Sequence, residues 1–557
     1  MGAKDTKIWF GAESMKTSLG SADRTYSAIR NYETGLRYHD RYGMMAGLME
    51  NGNAEEGFTL METMIVAQVT EVLEKSLLSL SDPSVRFIIS TTKGNVGLLE
   101  GNQDTPPSDA FLYESARKIA AHMQMAHPPV VISNACISGV SALIVARRMI
   151  LAGECSHVVV TGCDVLNEFI TSGFASFKSI SADGVRPYDA LRNGLNLGEA
   201  CATVLLTSDI NRASEPLIRL EGGAVTNDAN HISGPSRTGD GLFYAIRDAI
   251  SEAGIQPSDI GFVNTHGTAT VYNDEMESKA ITLAGLENTP LNSVKGYIGH
   301  TLGASGVVET LIAIEELRTR TVYGTLGFTE LGVPCPVNIS SVHRPLQTLR
   351  CLKTASGFGG CNAAVVIAAE SCEDRYEAGK VAAEAVVTAE YTLDNIPGKS
   401  FAEQIREEYH QLGSPNMKFF KMSDLCKAAY VAAENLVIST DLKARYLPTE
   451  VAVILSNSSA SLDTDMEHQR ILQEHLPEGT SPAVFVYTLP SVAAGEICIR
   501  HKFQGDNTFF IDKDSVFAET YARLLIEKGY AKAAICGWCD KLGEHRKVNI
   551  KILEIKS

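Results

Sequence analysis

Short apolar runs alternate with longer stretches of helical periodicity along most of the chain. RFIIST at 86–91, PVVIS at 129–133, HVVVTG at 157–162 and ATVLLTS at 202–208 each predict a buried strand, being compact and rich in β-branched residues. Between the second and third of these, ISGVSALIVARRMILAG at 137–153 carries apolar positions at helical spacing and stops at Gly153, a helix end. A second set follows in GFVNTHGT at 261–268, SVKGYIGHT at 293–301 and TASGFGGCNAAVVIAAE at 354–370. This βαβ alternation predicts an α/β architecture with parallel or mixed sheets. After Cys372 the charged, alanine-rich EDRYEAGKVAAEA reads as a connector.

Beyond the connector the pattern begins again. DLCKAAYVAAENLV, VAVILSNSSA, SPAVFVYTLPSVAAGEI and YAKAAICGWCD follow the order of LMETMIVAQVTEVL, RFIISTTKGN, PPVVISNACISGV and SHVVVTGCD in residues 60–164. Four pieces in one order point to a repeat of the first half. In that alignment the position of Cys136 falls near Pro490, so the repeat is expected to lack the thiol.

The chain has 557 residues, 45% hydrophobic and 21% charged, an ordinary globular composition. Lys and Arg number 49 against 66 acidic residues, a net charge of −17. With no dense basic run, nucleic-acid binding is not expected. Twelve cysteines without secretory spacing suit a reducing compartment, and the cytoplasm is the expected location. MGAKDTKIWF lacks a signal peptide's apolar core. No run of 18 apolar residues is expected to span a membrane. The opening MGAKDT fits a myristoylation pattern only formally, PGKS at 397–400 lacks the earlier glycine of a phosphate loop, and no cluster has metal-ligand spacing.

The candidate chemistry centres on Cys136, after an apolar strand and at the start of a long helix. Free N–H groups and the helix dipole are expected to lower its thiol pKa there. His266 follows a strand in VNTHGTATVYNDEMES, and His300 precedes an apolar helix in VKGYIGHTLGASGVVETLIAIEEL. Both sit at strand-to-helix transitions, where open α/β sheets place ligands. A helix-start cysteine with two such histidines suggests a nucleophile with two hydrogen-bond donors. Cys536 and Cys539 form a CxxC, but it follows a strand instead of opening a helix, so redox chemistry is not expected.

NACISG, RPYDALRNGLNLGEA at 186–200, THGTAT-YND-ME, K-x4-GHTLGASG and the GFGG-x-N segment at 357–362 together resemble the β-ketoacyl-ACP synthases, the elongating Cys–His–His branch of the thiolase-like condensing enzymes. The resemblance covers about 350 residues. It implies a duplicated five-layer αβαβα fold, with residues 1–210 bearing the cysteine and 211–371 both histidines. A connector at 372–420 and an additional α/β half-domain at 421–557, resembling the first thiolase half and without catalytic residues, complete the expected organisation.

The implied reaction is a decarboxylating Claisen condensation. Cys136 takes an acyl group from a thioester, a malonyl thioester loses CO2, and the enolate attacks the acyl group to give a 3-oxoacyl-ACP. By the same resemblance His266 and His300 donate to the enolate oxygen, and the N–H groups of Cys136 and Phe358 form an oxyanion hole. Lys295 and Glu309 form a supporting pair, and Phe358 also gates the pocket. Phe174 lies at its mouth, while Thr268 and Thr270 contact the phosphopantetheine arm. Lys178, Arg147 and Arg148 are candidates for carrier docking. No cofactor is implied beyond the carrier's phosphopantetheine. The implied partners are an acyl carrier protein and a second subunit, in a homodimer or a ketosynthase-type heterodimer, within fatty-acid, polyketide or polyene synthesis.

Departures remain. The acidic MENGNAEEGFTLMETM stands where relatives carry basic docking residues. Two alternatives stay open: a catalytically silent, chain-length-factor-like acyl-binding partner, and a thiolase-type enzyme on CoA esters that uses Cys361 as a second cysteine.

Overall fold

A computed structural model describes residues 6–50, 52–101, 105–372, 384–474 and 480–556. Most of MGAKDT and residues 373–383 of the expected connector lie outside the described residues.

The amino-terminal unit runs β1 (Trp9–Thr17), α1 (Leu60–Ser76), β2 (Val85–Ser90), α2 (Leu112–His122), β3 (Val130–Ile132), α3 (Ser138–Ala152), β4 (His157–Asp164), α4 (Glu168–Ser176) and β5 (Ala200–Thr207). Side by side the strands read β3-β2-β4-β5-β1. The first three are parallel, and β5 is antiparallel to both β4 and β1. The runs read from sequence as strands at 86–91, 129–133, 157–162 and 202–208 are β2, β3, β4 and β5.

The second unit runs β6 (Ile218–Asn227), α5 (Asp240–Glu252), β7 (Phe262–Asn264), α6 (Val271–Leu283), β8 (Pro290–Asn292), α7 (Lys295–Ile298), α8 (Ser305–Thr319), β9 (Asn338–Ile339), β10 (Arg350–Gly357) and β11 (Cys361–Ala369). Its order, β8-β7-β10-β11-β6, repeats the first with the same strand directions, and β9 is added beyond β8.

The same order occurs a third time. β12 (Ala385–Asp394), α9 (Phe401–Gln411), α10 (Asp424–Thr440), β13 (Val451–Asn457), α11 (Leu462–Glu474), α12 (Pro482–Tyr487), α13 (Val492–His501), β14 (Asn507–Ile511), α14 (Val516–Glu527), β15 (Ala533–Leu542) and β16 (His545–Ile555) build a sheet ordered β14-β13-β15-β16-β12. Two sequence expectations need correction here. The stretch expected as connector supplies a full sheet strand, β12, and a capped helix, α9. SPAVFVYTLPSV, aligned from sequence with the strand-bearing PPVVISNACISGV, instead holds the helix α12 at Pro482–Tyr487 and a turn before α13. A short apolar run is ambiguous between the two, and Pro482 in the first turn of α12 favours the helix. The segment standing where Cys136 stands is therefore Asp512–Ser515, between β14 and α14, and not the neighbourhood of Pro490.

The first two units meet through α3 and α8, whose residues are nearly all buried. Their crossing is permitted by two glycines. A Cβ on Gly139 would lie 2.7 Å from the Val307 nitrogen, and one on Gly306 would lie 2.2 Å from the Val140 nitrogen. Backbone thus packs on backbone, and the residues just before each helix are drawn together. The expectation that no uninterrupted 18-residue apolar run exists holds at this helix, which Arg147 and Arg148 interrupt. Ala135–Ala152 has mean hydropathy 1.7, enough by composition to cross a membrane, yet 89% of it is buried inside the protein. A core helix packed on all sides is apolar all round for the same reason.

The third unit joins the first edge to edge. β14 pairs antiparallel with β3, Phe510 opposite Ile132 and Ile511 opposite Val131. Asn134 Nδ2 donates to the Asn507 carbonyl at 2.8 Å, and the Ser133 amide to the Phe509 carbonyl at 3.1 Å. Arg148 Nη1 reaches Asp506 at 2.7 Å and the Tyr521 hydroxyl at 2.5 Å. Arg147 pairs with Glu252 and donates to the Leu220 carbonyl. Both arginines are buried, which removes them as carrier-docking candidates, whereas Lys178 is exposed just after α4.

Gly306→Ala is expected to lower the thermal unfolding midpoint. Overpacking costs about 1–3 kcal/mol, more than the ~1 kcal/mol that alanine contributes to helix propensity. Gly52→Ala, whose Cβ meets open space, is expected to leave the midpoint within ~0.5 kcal/mol of the wild type in a parallel melt.

Candidate active site

Cys136 sits in the short turn Ala135–Ile137 that leads from β3 into α3. The matching turn Leu302–Ala304 follows His300 and leads into α8. Because the two helices cross at their first residues, these turns pack against each other. The β10–β11 hairpin closes the site from above. A Cβ on Gly357 would lie 3.1 Å from the Cys136 nitrogen, so glycine lets Phe358 and its neighbours approach the cysteine backbone.

His266 leaves the end of β7. Its amide and that of Gly267 donate to the two oxygens of Glu277, each at 2.8 Å, and the Ala269 amide donates to Asp274 at 3.2 Å. The His266 and His300 rings stand edge to face with centroids 5.1 Å apart. In each ring Nδ1 is engaged, with Lys295 Nζ at 3.5 Å from His266 and Ser305 Oγ at 3.0 Å from His300. Lys295 Nζ donates to Glu309 Oε1 at 2.5 Å, and the other oxygen of Glu309 accepts from Lys353 Nζ, also at 2.5 Å. Both lysines are 0% exposed and Glu309 is 1% exposed.

Burial dominates the electrostatics. It pushes the Cys136 thiol up to about 12, opposed by the nearby Lys295 cation. The lowering expected from the helix start is thus reversed, because desolvation of a thiolate outweighs the local positive field. Both histidines are held well below the usual imidazole range, first by burial and then by Lys295. They are neutral rings, each with one N–H to give.

The structure gathers Cys136, His266, His300, Lys295, Glu309 and Phe358 into this one site. Thr268 and Thr270 follow His266, their hydroxyls 3.0 Å apart. Phe174 packs 6.0 Å from Phe358, and Phe177 stacks on Phe358 at 5.3 Å. Three contributions escaped the sequence reading. Asp274 and Glu277, three apart at the start of α6, hold the His266 loop. Lys353 is a lone charge in a strand otherwise uncharged after its first residue. Phe485 and Leu489, from the third unit, line a small cavity of 20 Å³ beside Cys136. Phe485 lies over Gly173, where an added Cβ would sit 2.1 Å from its ring. Lys93 also lines this cavity and pairs with Asp465 of α11 at 2.7 Å.

Cys536 and Cys539 lie within β15, three residues apart and hence on opposite faces, and both are free thiols. Cys361 donates to the Phe358 carbonyl at 3.2 Å, and its thiol is pushed up by burial.

Two units of identical strand order, meeting through helices that start at a cysteine and after a histidine, define a thiolase-like fold. The family descriptions "Beta-ketoacyl synthase, N-terminal domain" and "Beta-ketoacyl synthase, C-terminal domain" match residues 106–210 and 217–329. Over these residues the chain is similar to the β-ketoacyl synthases. The 3-oxoacyl-[acyl-carrier-protein] synthase 2 of Mycobacterium leprae is 31% identical over 245 residues, which is 42% of this chain and 58% of that protein. The chain thus matches somewhat over half the length of that curated relative. Among solved structures, the ketosynthase ApeO in complex with its chain length factor ApeC from Xenorhabdus doucetiae has 25% identity and a TM-score of 0.59, covering 65% of this chain and 98% of that one. The PfaC keto synthase-chain length factor has only 13% identity but a TM-score of 0.79, covering 99% of this chain and 78% of that one, a likeness of fold.

A thiol held this high has little thiolate at neutral pH. Alkylation of Cys136 by iodoacetamide, followed by peptide mass spectrometry, is expected to rise about tenfold per pH unit from 7 to 9. A plateau below pH 8 would contradict the burial effect.

Proposed function

We propose that this chain is a decarboxylating ketosynthase that condenses an acyl group on Cys136 with a malonyl-ACP to give a 3-oxoacyl-ACP, in fatty-acid, polyketide or polyene synthesis. The observation that carries it is the packing of the Cys136 turn against the turn that follows His300, with Lys295 acting on the thiol, beside two neutral histidines 5.1 Å apart and a buried lysine–carboxylate pair. The chemistry follows from those groups. Cys136 Sγ attacks the acyl thioester, the Cys136 and Phe358 amides stabilise the oxyanion, and the carrier thiol leaves with the proton. The malonyl thioester then breaks its bond to the carboxylate and releases CO2, leaving an enolate that accepts N–H donors from His266 and His300. The enolate carbon attacks the acyl carbonyl, the C–S bond to Cys136 breaks, and the departing thiolate takes a proton from solvent to return to the resting thiol.

The carrier's arm is assigned to the 1010 Å³ cleft beside the Phe358 turn, lined by residues 228–240, α6 and Lys502 of the third unit. The Gly359 amide donates to the Ile232 carbonyl, which couples the cleft wall to that turn. Thr268 and Thr270 would meet the arm below. Arg237, Lys279 and Lys502 at this mouth are matched by Asp228, Asp240 and Glu275, so the cleft lining is charge-balanced; exposed Lys178 remains the docking candidate. All twelve cysteines are free, which supports a reducing compartment, the cytosol.

The third unit is read as a degenerate copy of the first half that completes the acyl pocket. It has no cysteine at Asp512–Ser515, and it places Phe485 against Phe174 at 5.4 Å. It stands in for the second subunit expected from sequence, much as a chain length factor accompanies the Xenorhabdus ketosynthase. The thiolase alternative loses support because Cys361 is occupied in holding the Phe358 turn. The silent-partner alternative loses support because the thiol and both histidines are in place.

The test is to incubate the chain with acyl carriers of graded length and follow Cys136 by mass spectrometry. Acylation is expected in the wild type and absent in Cys136→Ala; no acylation with any carrier sinks the proposal. His300→Asn is expected to keep acylation but slow CO2 release from malonyl carrier by about 10²–10³. Phe485→Ala is expected to raise acylation by long chains about tenfold relative to acetyl.

A further inference from the structure

Lys353 stands in β10 between Leu352 and Thr354, in a strand whose residues from Arg350 to Ser356 are all buried. It pairs in register with Asn264, the last residue of β7, two residues before His266. Its Nζ donates to Glu309 Oε2 at 2.5 Å and to the Thr354 carbonyl at 2.7 Å, and lies 3.5 Å from the Thr265 carbonyl. A buried ammonium costs several kcal/mol unless paired. Within the Lys295–Glu309–Lys353 triad one lysine suffices to neutralise Glu309, so the second leaves the triad at net charge +1, while Glu277 is taken up by backbone N–H groups.

We propose that Lys353 is a positioning residue for His266, occupying one oxygen of Glu309 so that Lys295 is confined to the other and directs an N–H at His266 Nδ1. This inference rests on the ketosynthase reading for its purpose but not for its geometry. With Nδ1 accepting from Lys295, the ring proton resides on Nε2, the nitrogen left to serve as donor. The surplus charge also opposes protonation of the ring. The groups facing His266 are Lys295 of α7, His300 in the loop after it, Glu309 of α8, Lys353 of β10, Cys136, and Glu277 of α6, whose carboxylate takes the backbone N–H groups. Lys295, His300 and Lys353 all push the ring down after burial has done so, and Lys353 also pushes Lys295 down. Removing Lys353 frees Glu309 Oε2 for Lys295 and leaves a neutral Lys295–Glu309 pair, one cation fewer beside the ring, so His266 protonates at a higher pH.

The experiment is an NMR titration of the ¹³C,¹⁵N-labelled histidine rings in the full chain, with His266 assigned through His266→Gln. In the wild type His266 is expected to stay neutral, with its proton on Nε2, down to the lowest pH at which the chain remains folded. In Lys353→Met its pKa is expected to rise by ~1 unit or more, and the Nε2–H tautomer to lose its dominance. Lys353→Arg, which keeps the charge and the contact, is expected to return the wild-type titration. Should Lys353→Met fail to fold, Lys353→Gln serves, since it keeps a hydrogen bond to Glu309 and removes the charge. The acidic limb of CO2 release from malonyl carrier is expected to move up by the same amount, with KM for the carrier unchanged. An unmoved His266 titration in a folded charge-removing variant overturns the proposal. A shifted titration in a chain that never acylates Cys136 overturns the ketosynthase reading alone.

Discussion

Everything at the site depends on two helices crossing without side chains between them. Gly139 and Gly306 leave no room for a β-carbon, so α3 and α8 meet backbone to backbone near their first turns. Closer than this they cannot come, and with any larger residue they would be held apart. The turns that precede them carry Cys136 on one side and follow His300 on the other. The catalytic distance between the two halves is therefore set by packing in the core, which is stiff, and not by the loops that bear the reactive groups. His266 is brought to the same point by a separate device, the Glu277 carboxylate clamping two successive amides.

The same tight packing decides the protonation states. Two unit charges about 4 Å apart repel by ~4 kcal/mol even at an effective dielectric of 20, so an imidazolium beside Lys295 is strongly disfavoured before desolvation is added. Burial also keeps the resting thiol protonated. At rest, therefore, neither the thiol nor the two rings of this site carries a charge.

Much of this was legible in the sequence. Helix-start Cys136, His266 at a strand end and His300 ahead of a long helix were visible because the apolar runs that flank them are unambiguous. The strand assignments in the first half held for the same reason. What failed depends on partners distant in the chain. Arg147 and Arg148 look like surface cations, yet Glu252 and Asp506, more than 100 and 350 positions away, bury them. SPAVFVY has no periodicity to separate helix from strand, and its misassignment shifted the alignment of the third unit onto Pro490. Lys353 could be noticed as a charge out of place, but only its approach to Glu309 gives it a meaning.

The edge-to-edge pairing of β14 with β3 has one more consequence. A sheet edge normally offers its open N–H and C=O groups to whatever strand diffuses by. Here the complementary strand is tethered to the same polypeptide, so closure is unimolecular and does not weaken on dilution. Phe485 and Leu489 thus reach the cavity beside Cys136 in a fixed one-to-one ratio with that cysteine.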